Sequence, residues 1–323
     1  MATSVLKPLR DALNPSTLDV LTGPWAAPIF EHHPAVDEVL TFATPWWSVV
    51  RGASFGERMR AWAELPRMIR SIKTRRYDVG IDLRGDLRQI VFFLRLGGMP
   101  IRVSSDRTGG RSLLTHGWTY DPKLHEVEKN AAIAGLLGAV GPWKLDVAIS
   151  KEDLASTAAT GFIAFALRGS EENREWPAAH AAAAADVLYR EFRIPSVVVG
   201  TSADVPFADN IVALATSPIA NLAGRTSLMQ TAALLRCATM VVAVDSGPMH
   251  LAAAVGAPVV ALFGPGDARQ CRPWSGRTEV VAVSAPCGCE GRRCDFVEGA
   301  GRCMREITSG MVVEAVRRVM RIR

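Results

Sequence analysis

Residues 240–266 read Met240-Val-Val-Ala-Val244-Asp245-Ser246-Gly247-Pro-Met-His250-Leu-Ala-Ala-Ala-Val255-Gly-Ala-Pro-Val259-Val-Ala-Leu-Phe263-Gly264-Pro265-Gly266. An apolar run stops at Asp-Ser-Gly, a small-residue stretch of helical character follows, and a second apolar run stops at Gly-Pro-Gly. That succession is strand, turn, helix, strand, turn, the linear form of a βαβ unit. Both polar turns fall at carboxyl ends of strands, where open α/β sheets bind ligands. The first turn also opens a helix, so free backbone N–H groups and the positive dipole end face the crevice, a seat for phosphate. With Asp245 and His250 flanking that seat, the segment points to a diphosphate-linked ligand.

The same alternation extends outward. In the first half, Thr17–Gly23, Val36–Phe42, Val79–Leu83 and Ile101–Ser105 read as strands, and Ser54–Arg76 and Lys123–Leu137 as helices. Phe55, Met59, Trp62, Leu65, Ile69 and Ile72 recur near helical spacing in the first of these helices. In the second half, Phe162–Leu167 and Ser196–Gly200 read as strands. Pro177–Phe192, Ser227–Ala238 and Met311–Met320 read as helices, with Ser227 as an N-cap. The join falls near Gly141 to Lys151. The expected architecture is α/β, two doubly wound Rossmann-like domains over 1–145 and 146–323 with a cleft between them.

At 323 residues the chain has room for two domains, and its 49% apolar and 21% charged content is that of a globular protein. No apolar run approaches the ~18 residues of a membrane span. The N-terminus shows no secretory pattern, so the expected compartment is the cytoplasm. The net charge of +5 raises nucleic acid as a partner, but the basic residues are dispersed and no nucleic-acid-binding motif accompanies them. A modest positive balance equally suits small anions or an acceptor at an anionic membrane surface.

Four of the six cysteines, Cys287, Cys289, Cys294 and Cys303, fall in one loop, 285–304, as C-x-C-x4-C-x8-C. In a cytosolic chain such clustering favours metal over disulfide, so the alternatives are a structural zinc or iron site and four reduced thiols.

Several motifs in order resemble glycosyltransferase family 9, the heptosyltransferases. They are Gly23-Pro-Trp-Ala-Ala-Pro28 with Pro34-Ala-Val-Asp-Glu-Val39, Tyr77-Asp-Val-Gly-Ile-Asp-Leu-Arg-Gly-Asp86, His125-Glu-Val-Glu-Lys-Asn130, Arg174-Glu-Trp-Pro177, and the Asp245 to Pro265 segment. The resemblance runs from about residue 5 to the C-terminus. It implies a GT-B fold, with acceptor bound mainly by the first domain and nucleotide-sugar donor by the second. The implied reaction is inverting, metal-independent transfer of a heptose from ADP-heptose to a sugar hydroxyl of a lipopolysaccharide-core or related glycan. The alternatives are another nucleotide sugar as donor, or a sugar-nucleotide-binding protein with impaired catalysis. Partners would be an ADP-sugar and a glycan or glycolipid acceptor, with peripheral association at the inner face of the inner membrane.

On this reading Asp245, Ser246, Gly247 and His250 hold the donor, and Arg174 meets charge developing on the leaving diphosphate. Ser170 and Thr201 are weaker donor-side contacts, and Asp204 is placed to reach the ribose. On the acceptor side Asp86, beside Arg84, either touches the acceptor or caps the following helix. His125 and Lys129 either face an acidic acceptor or lie on a solvated helix face. The bland alternative for Asp245 is a structural cap, and for Arg174 a surface arginine. The family's general base is an Asp in a Gly-Asp pair after the first strand. Val5 to Leu13 matches the helix that follows that pair, so strand and base have no counterpart here, and a start upstream or weak turnover is expected. A strand missing from mid-sheet would leave unpaired backbone edges.

Overall fold

A computed structural model of the chain describes residues 1–46, 54–155, 157, 161–169, 171–283 and 301–321. The chain divides into two compact units, Met1–Lys144 and Leu145–Arg323.

The first unit runs α1 (Leu6–Leu13), β1 (Asp19–Thr22), α2 (Pro28–Glu31), β2 (Glu38–Thr41), α3 (Phe55–Thr74), β3 (Val79–Ile81), α4 (Leu87–Gln89), β4 (Ile101–Ser105), β5 (His116–Trp118) and α5 (Glu126–Gly135). Its strands lie in two parallel sheets, β1–β2 and β3–β4–β5, and β1 and β3 are not paired. Strands paired on one side only cover one another poorly, and β1 is half-buried along its whole length. The cores are correspondingly small: Phe42, Leu65, Ile72, Ile90, Phe93, Leu94 and Met99 form the largest.

α3 starts with a capping box in which Ser54 accepts from the Glu57 N–H and Glu57 from the Ser54 N–H. Its apolar stripe divides. Leu65 and Ile72 are buried, whereas Phe55, Met59 and Trp62 are 81%, 51% and 43% exposed. The spacing is thus helical throughout, but only its later half faces the core.

The second unit runs α6 (Lys151–Ala155), β6 (Ile163–Ala166), α7 (Ala178–Phe192), β7 (Ser196–Val198), α8 (Val205–Leu214), β8 (Ile219–Asn221), α9 (Leu228–Cys237), β9 (Met240–Val244), α10 (Gly247–Ala254), β10 (Val259–Phe263), α11 (Ala268–Cys271), β11 (Thr278–Ala282), α12 (Arg302–Glu306) and α13 (Ser309–Arg321). All six strands are parallel, in the order β11-β10-β9-β6-β7-β8. β6, β9 and β10 are buried at every residue. Side chains of β9 still alternate, Met240, Val242 and Val244 into the core of α7, α8 and α13, Val241 and Ala243 into that of α9 and α10. Covering on both faces explains why these strands read as unbroken apolar runs. The chain leaves β6 in one direction through β7 and returns on the other side through β9, so β6 and β9 flank a topological switch point.

β5, β8, β11 and α8 are additions to the sequence reading; β5 and β8 carry no apolar run, whereas β11 leads into the run Val280-Val281-Ala282-Val283 and α8 is apolar through Val205, Phe207, Ile211 and Val212. β8 and β11 are edge strands, only partly buried. α8 is also signalled by Pro206 in its first turn and by the Thr201–Asp204 capping box ahead of it. Among the described residues no helix is long and apolar enough to cross a membrane.

Candidate functional site

Trp176 builds one wall of the switch-point site. It is fully buried; its backbone N–H donates to the Leu167 carbonyl (3.1 Å) and its indole Nε1 to the Ile307 carbonyl (2.8 Å). These bonds fasten the segment after β6 against the unit and set the direction of Arg174. Arg174 Nη1 then donates to Asp245 Oδ2 at 2.9 Å and to the Asp245 carbonyl at 3.3 Å. Asp245 itself is tied down, since its N–H donates to the Leu262 carbonyl of β10. Burial pushes the Asp245 carboxyl above the usual carboxylate range, and the Arg174 guanidinium opposes that shift.

Glycines make room for this pair. A Cβ on Gly266 would lie 2.5 Å from Asp245 Oδ2, and one on Gly169 would lie 3.1 Å from Arg174 Cβ. Gly247 differs: it is exposed, and a Cβ there would meet nothing within 4 Å. Nothing in the described fold therefore requires glycine at 247. α10 begins there with Pro248 in its first turn and no side-chain cap, because the Ser246 hydroxyl donates back to the Val244 carbonyl. His250 sits half-buried in the same turn. Arg174 Nε and Asn173 Oδ1 are buried with no hydrogen-bond partner among the described residues. The arrangement offers a guanidinium and uncapped helix N–H groups to an anion, and a carboxylate to hydroxyls. Asn173 has no special signal in the sequence.

The other donor-side candidates differ. Thr201 and Asp204 are occupied with each other, the Thr201 N–H and hydroxyl both donating to Asp204 Oδ2. Asp204 also takes Arg168 at 3.3 Å. Thr201 is thus a capping residue here, and Asp204 is engaged within the fold. Ser170 lies outside the described residues.

In the first unit the end of β3 is organised by Asp82, which was not singled out from the sequence although an acid inside an apolar strand is a signal. It is buried and accepts from the Arg84 N–H (3.2 Å), the Asp86 N–H (3.1 Å) and the Ser104 hydroxyl (3.0 Å). Burial pushes its carboxyl up. Asp86 caps α4 through the Arg88 N–H and holds the Arg88 guanidinium at 2.9 and 2.7 Å. Burial and the like charge of Arg107 hold the Arg84 guanidinium below its ordinary value. His125 and Lys129 are 2% and 3% exposed, which corrects the solvated-face alternative. The His125 ring accepts from the Val127 N–H as the N-cap of α5, and Lys129 donates to Glu126 and Tyr120.

Cys303 is buried, and its Sγ would lie 3.0 Å from a Cβ on Gly264. Cys287, Cys289 and Cys294 lie outside the described residues. Among the described residues no three His, Cys, Asp or Glu side chains converge as a metal site.

Comparison with known proteins bears on the whole chain. It is 26% identical to lipopolysaccharide heptosyltransferase 2 of Salmonella typhimurium over 345 aligned positions, covering 97% of this chain and 92% of that protein. The protein of the same name from Escherichia coli K12 gives the same identity and coverage over 346 positions. Among solved structures, E. coli ADP-heptose lps heptosyltransferase II superposes with a TM-score of 0.77 at 22% identity, covering 99% of this chain and 94% of that one. The glycosyl transferase family 9 structure from Veillonella parvula gives 0.81 at 21%, covering 99% and 92%. These structural likenesses give the fold, GT-B, a two-domain α/β architecture. The sequence model of "Glycosyltransferase family 9 (heptosyltransferase)" matches residues 65–299, a span that includes β3, the Arg174 wall and the β9–α10 seat, and the chain belongs to that family.

Proposed function

We propose that this glycosyltransferase moves a heptose, with inversion, from ADP-heptose to a sugar hydroxyl of a lipopolysaccharide-core or related glycan. The second unit binds the donor and the first the acceptor. The observation that carries the reading is the Arg174–Asp245 pair at the β6/β9 switch point, beside the uncapped start of α10. As the sugar–phosphate bond breaks, negative charge grows on the leaving diphosphate. Arg174 and the α10 N–H groups meet it without reorganisation, so the transition state gains more than the ground state. Asp245, released from Arg174 by the diphosphate, accepts from sugar hydroxyls. Gly247 lets backbone approach the phosphates, and Ser246 and His250 line the turn. This chemistry needs no cofactor.

One solved relative supports the donor class: E. coli heptosyltransferase WaaC has been solved with ADP and with ADP-2-deoxy-2-fluoro heptose. On the acceptor side we assign Arg84 to the acceptor and Asp86 and His125 to holding the loops that carry it. A glycolipid acceptor sets the work at the cytoplasmic side of the inner membrane. A structural zinc or iron at the cysteine loop is a separate proposal, supported by the clustering of thiols. Metal analysis of protein purified without added metal tests it, and a stoichiometry near zero removes it.

The test of function is a binding and turnover panel. ADP should stabilise the protein against heat where UDP and GDP do not, and ADP-heptose with a core acceptor should release ADP. A response to UDP alone would sink the assignment. A second reading, donor binding without turnover, draws on the committed carboxylates of the first unit: Asp82 and Asp86 are both held within the fold. It predicts ADP binding with no ADP release for any core acceptor.

A further inference from the structure

The first turns of α3 leave an unusual surface. At about 100° per residue, Phe55, Met59, Trp62 and Pro66 fall within an arc of roughly 60°. All four are exposed, Phe55 at 81%. Arg70 borders this strip on one side and Arg58 on the other, with Arg67 and Arg60 further round the helix on the side of Arg70. α3 carries five cations, Arg58, Arg60, Arg67, Arg70 and Lys73, against Glu57 and Glu64, a surplus of three. None of the five is held in an ion pair among the described residues. Trp62 is anchored from behind by Trp46 and Phe92, at centroid distances of 5.7 and 6.4 Å. Trp62 thus ties the strip to the unit, and the four side chains of the strip are exposed.

Contiguous exposed apolar surface rimmed by charge marks an interaction site. Its chemistry selects the occupant. Aromatic and thioether side chains beside arginines suit the boundary between headgroups and acyl chains, where the ring enters and the guanidinium meets phosphate. A nucleic acid would satisfy the arginines and leave Phe55 and Met59 in water. A second copy packed face to face would oppose like charges, because a two-fold contact pairs a patch with itself. We propose that this face of α3 is the surface by which the protein sits on an anionic lipid bilayer. The inference deepens the glycolipid-acceptor reading and rests on it for its setting. Vesicle binding needs neither donor nor acceptor, so the two fail separately.

The test is co-sedimentation of the full chain with phosphatidylglycerol/phosphatidylethanolamine vesicles and with phosphatidylcholine vesicles. Binding to the anionic vesicles should be at least about tenfold tighter and weaken with salt. Phe55→Ser with Met59→Ser should weaken it about tenfold or more. Arg60→Gln, Arg67→Gln and Arg70→Gln together should weaken it about a hundredfold, at about fivefold per arginine. Melting temperature and ADP binding should be unchanged in both variants, since these side chains lie on the surface and outside the donor site. Inorganic phosphate at millimolar concentration should not displace the protein. No binding, equal binding to both vesicle types, displacement by phosphate alone, or variants that bind like the parent would overturn the proposal. So would self-association lost in Phe55→Ser without vesicle binding, which would give the face to a second copy.

Discussion

Arg174 and Asp245 are 71 positions apart in the chain and 2.9 Å apart in space. Charge-assisted hydrogen bonds are worth about 1.5–3 kcal/mol, so Arg174→Ala should weaken ADP binding roughly 10–100-fold by calorimetry. Arg174→Lys should recover only part, because an ammonium lacks the planar fork. Gly247→Ala separates binding from folding. With open space at its Cβ, stability should change by no more than about 0.5 kcal/mol while donor affinity falls. Equal losses of stability and affinity would reject the phosphate-seat assignment. Asp267, which caps α11, has its carboxyl pulled down to about 2, first by the Arg269 side chain. The stability it adds is present above its unfolded value of 3.8 and is lost as pH falls through about 2. Linkage gives about 2 kcal/mol for that shift, and screening around the exposed Arg269 reduces it to about 1. Asp267→Asn keeps the cap and removes the charge. Urea titrations should show a deficit of about 1 kcal/mol at pH 7 that shrinks towards zero between pH 4 and 2.

At the scale of elements, the helix starts were legible because their chemistry is local. Ser227 accepts from the Gln230 N–H at 3.1 Å, as its position before an apolar periodic stretch implies. The βαβ unit was legible for the same reason, its boundaries written in Gly, Pro and Asp. The segment from Arg174 to Pro177 was visible as a motif, but its mechanical role was not. Trp176 is held by the carbonyl of Ile307, 131 residues away. Trp176→Phe removes that bond and leaves a small void, which together should cost about 1–3 kcal/mol in urea unfolding. It should also weaken ADP binding severalfold by loosening Arg174. Loss of stability with unchanged ADP affinity would make the tryptophan a core residue only.

At the scale of the molecule, the two units differ in how their sheets are covered. β9 and β10 have a strand on each side and helices on both faces, whereas among the described residues β1 pairs with β2 alone and is half-buried. Opening free energies follow such differences in burial. Hydrogen exchange should therefore be slowest in Val241–Val244 and Val260–Phe263 and faster by roughly a hundredfold or more in Val20–Thr22, a gap of about 3 kcal/mol. Adding ADP should slow exchange in the β9–α10 turn. Uniform exchange across both units would contradict this reading of the cores.

The sequence by itself determined the alternation of strands and helices, the β9–α10 turn and the ordered motifs of the family. Periodicity, caps and turns act over a few residues, so a linear reading captures them. Tertiary structure alone decided which carboxylates were engaged, Asp82 and Asp86 within the fold and Asp245 with Arg174. It also decided that His125 and Lys129 are buried and that the apolar stripe of α3 is half core and half surface. Those outcomes depend on burial and on partners tens of residues away. No local pattern encodes how water is excluded from one end of a helix and left at the other.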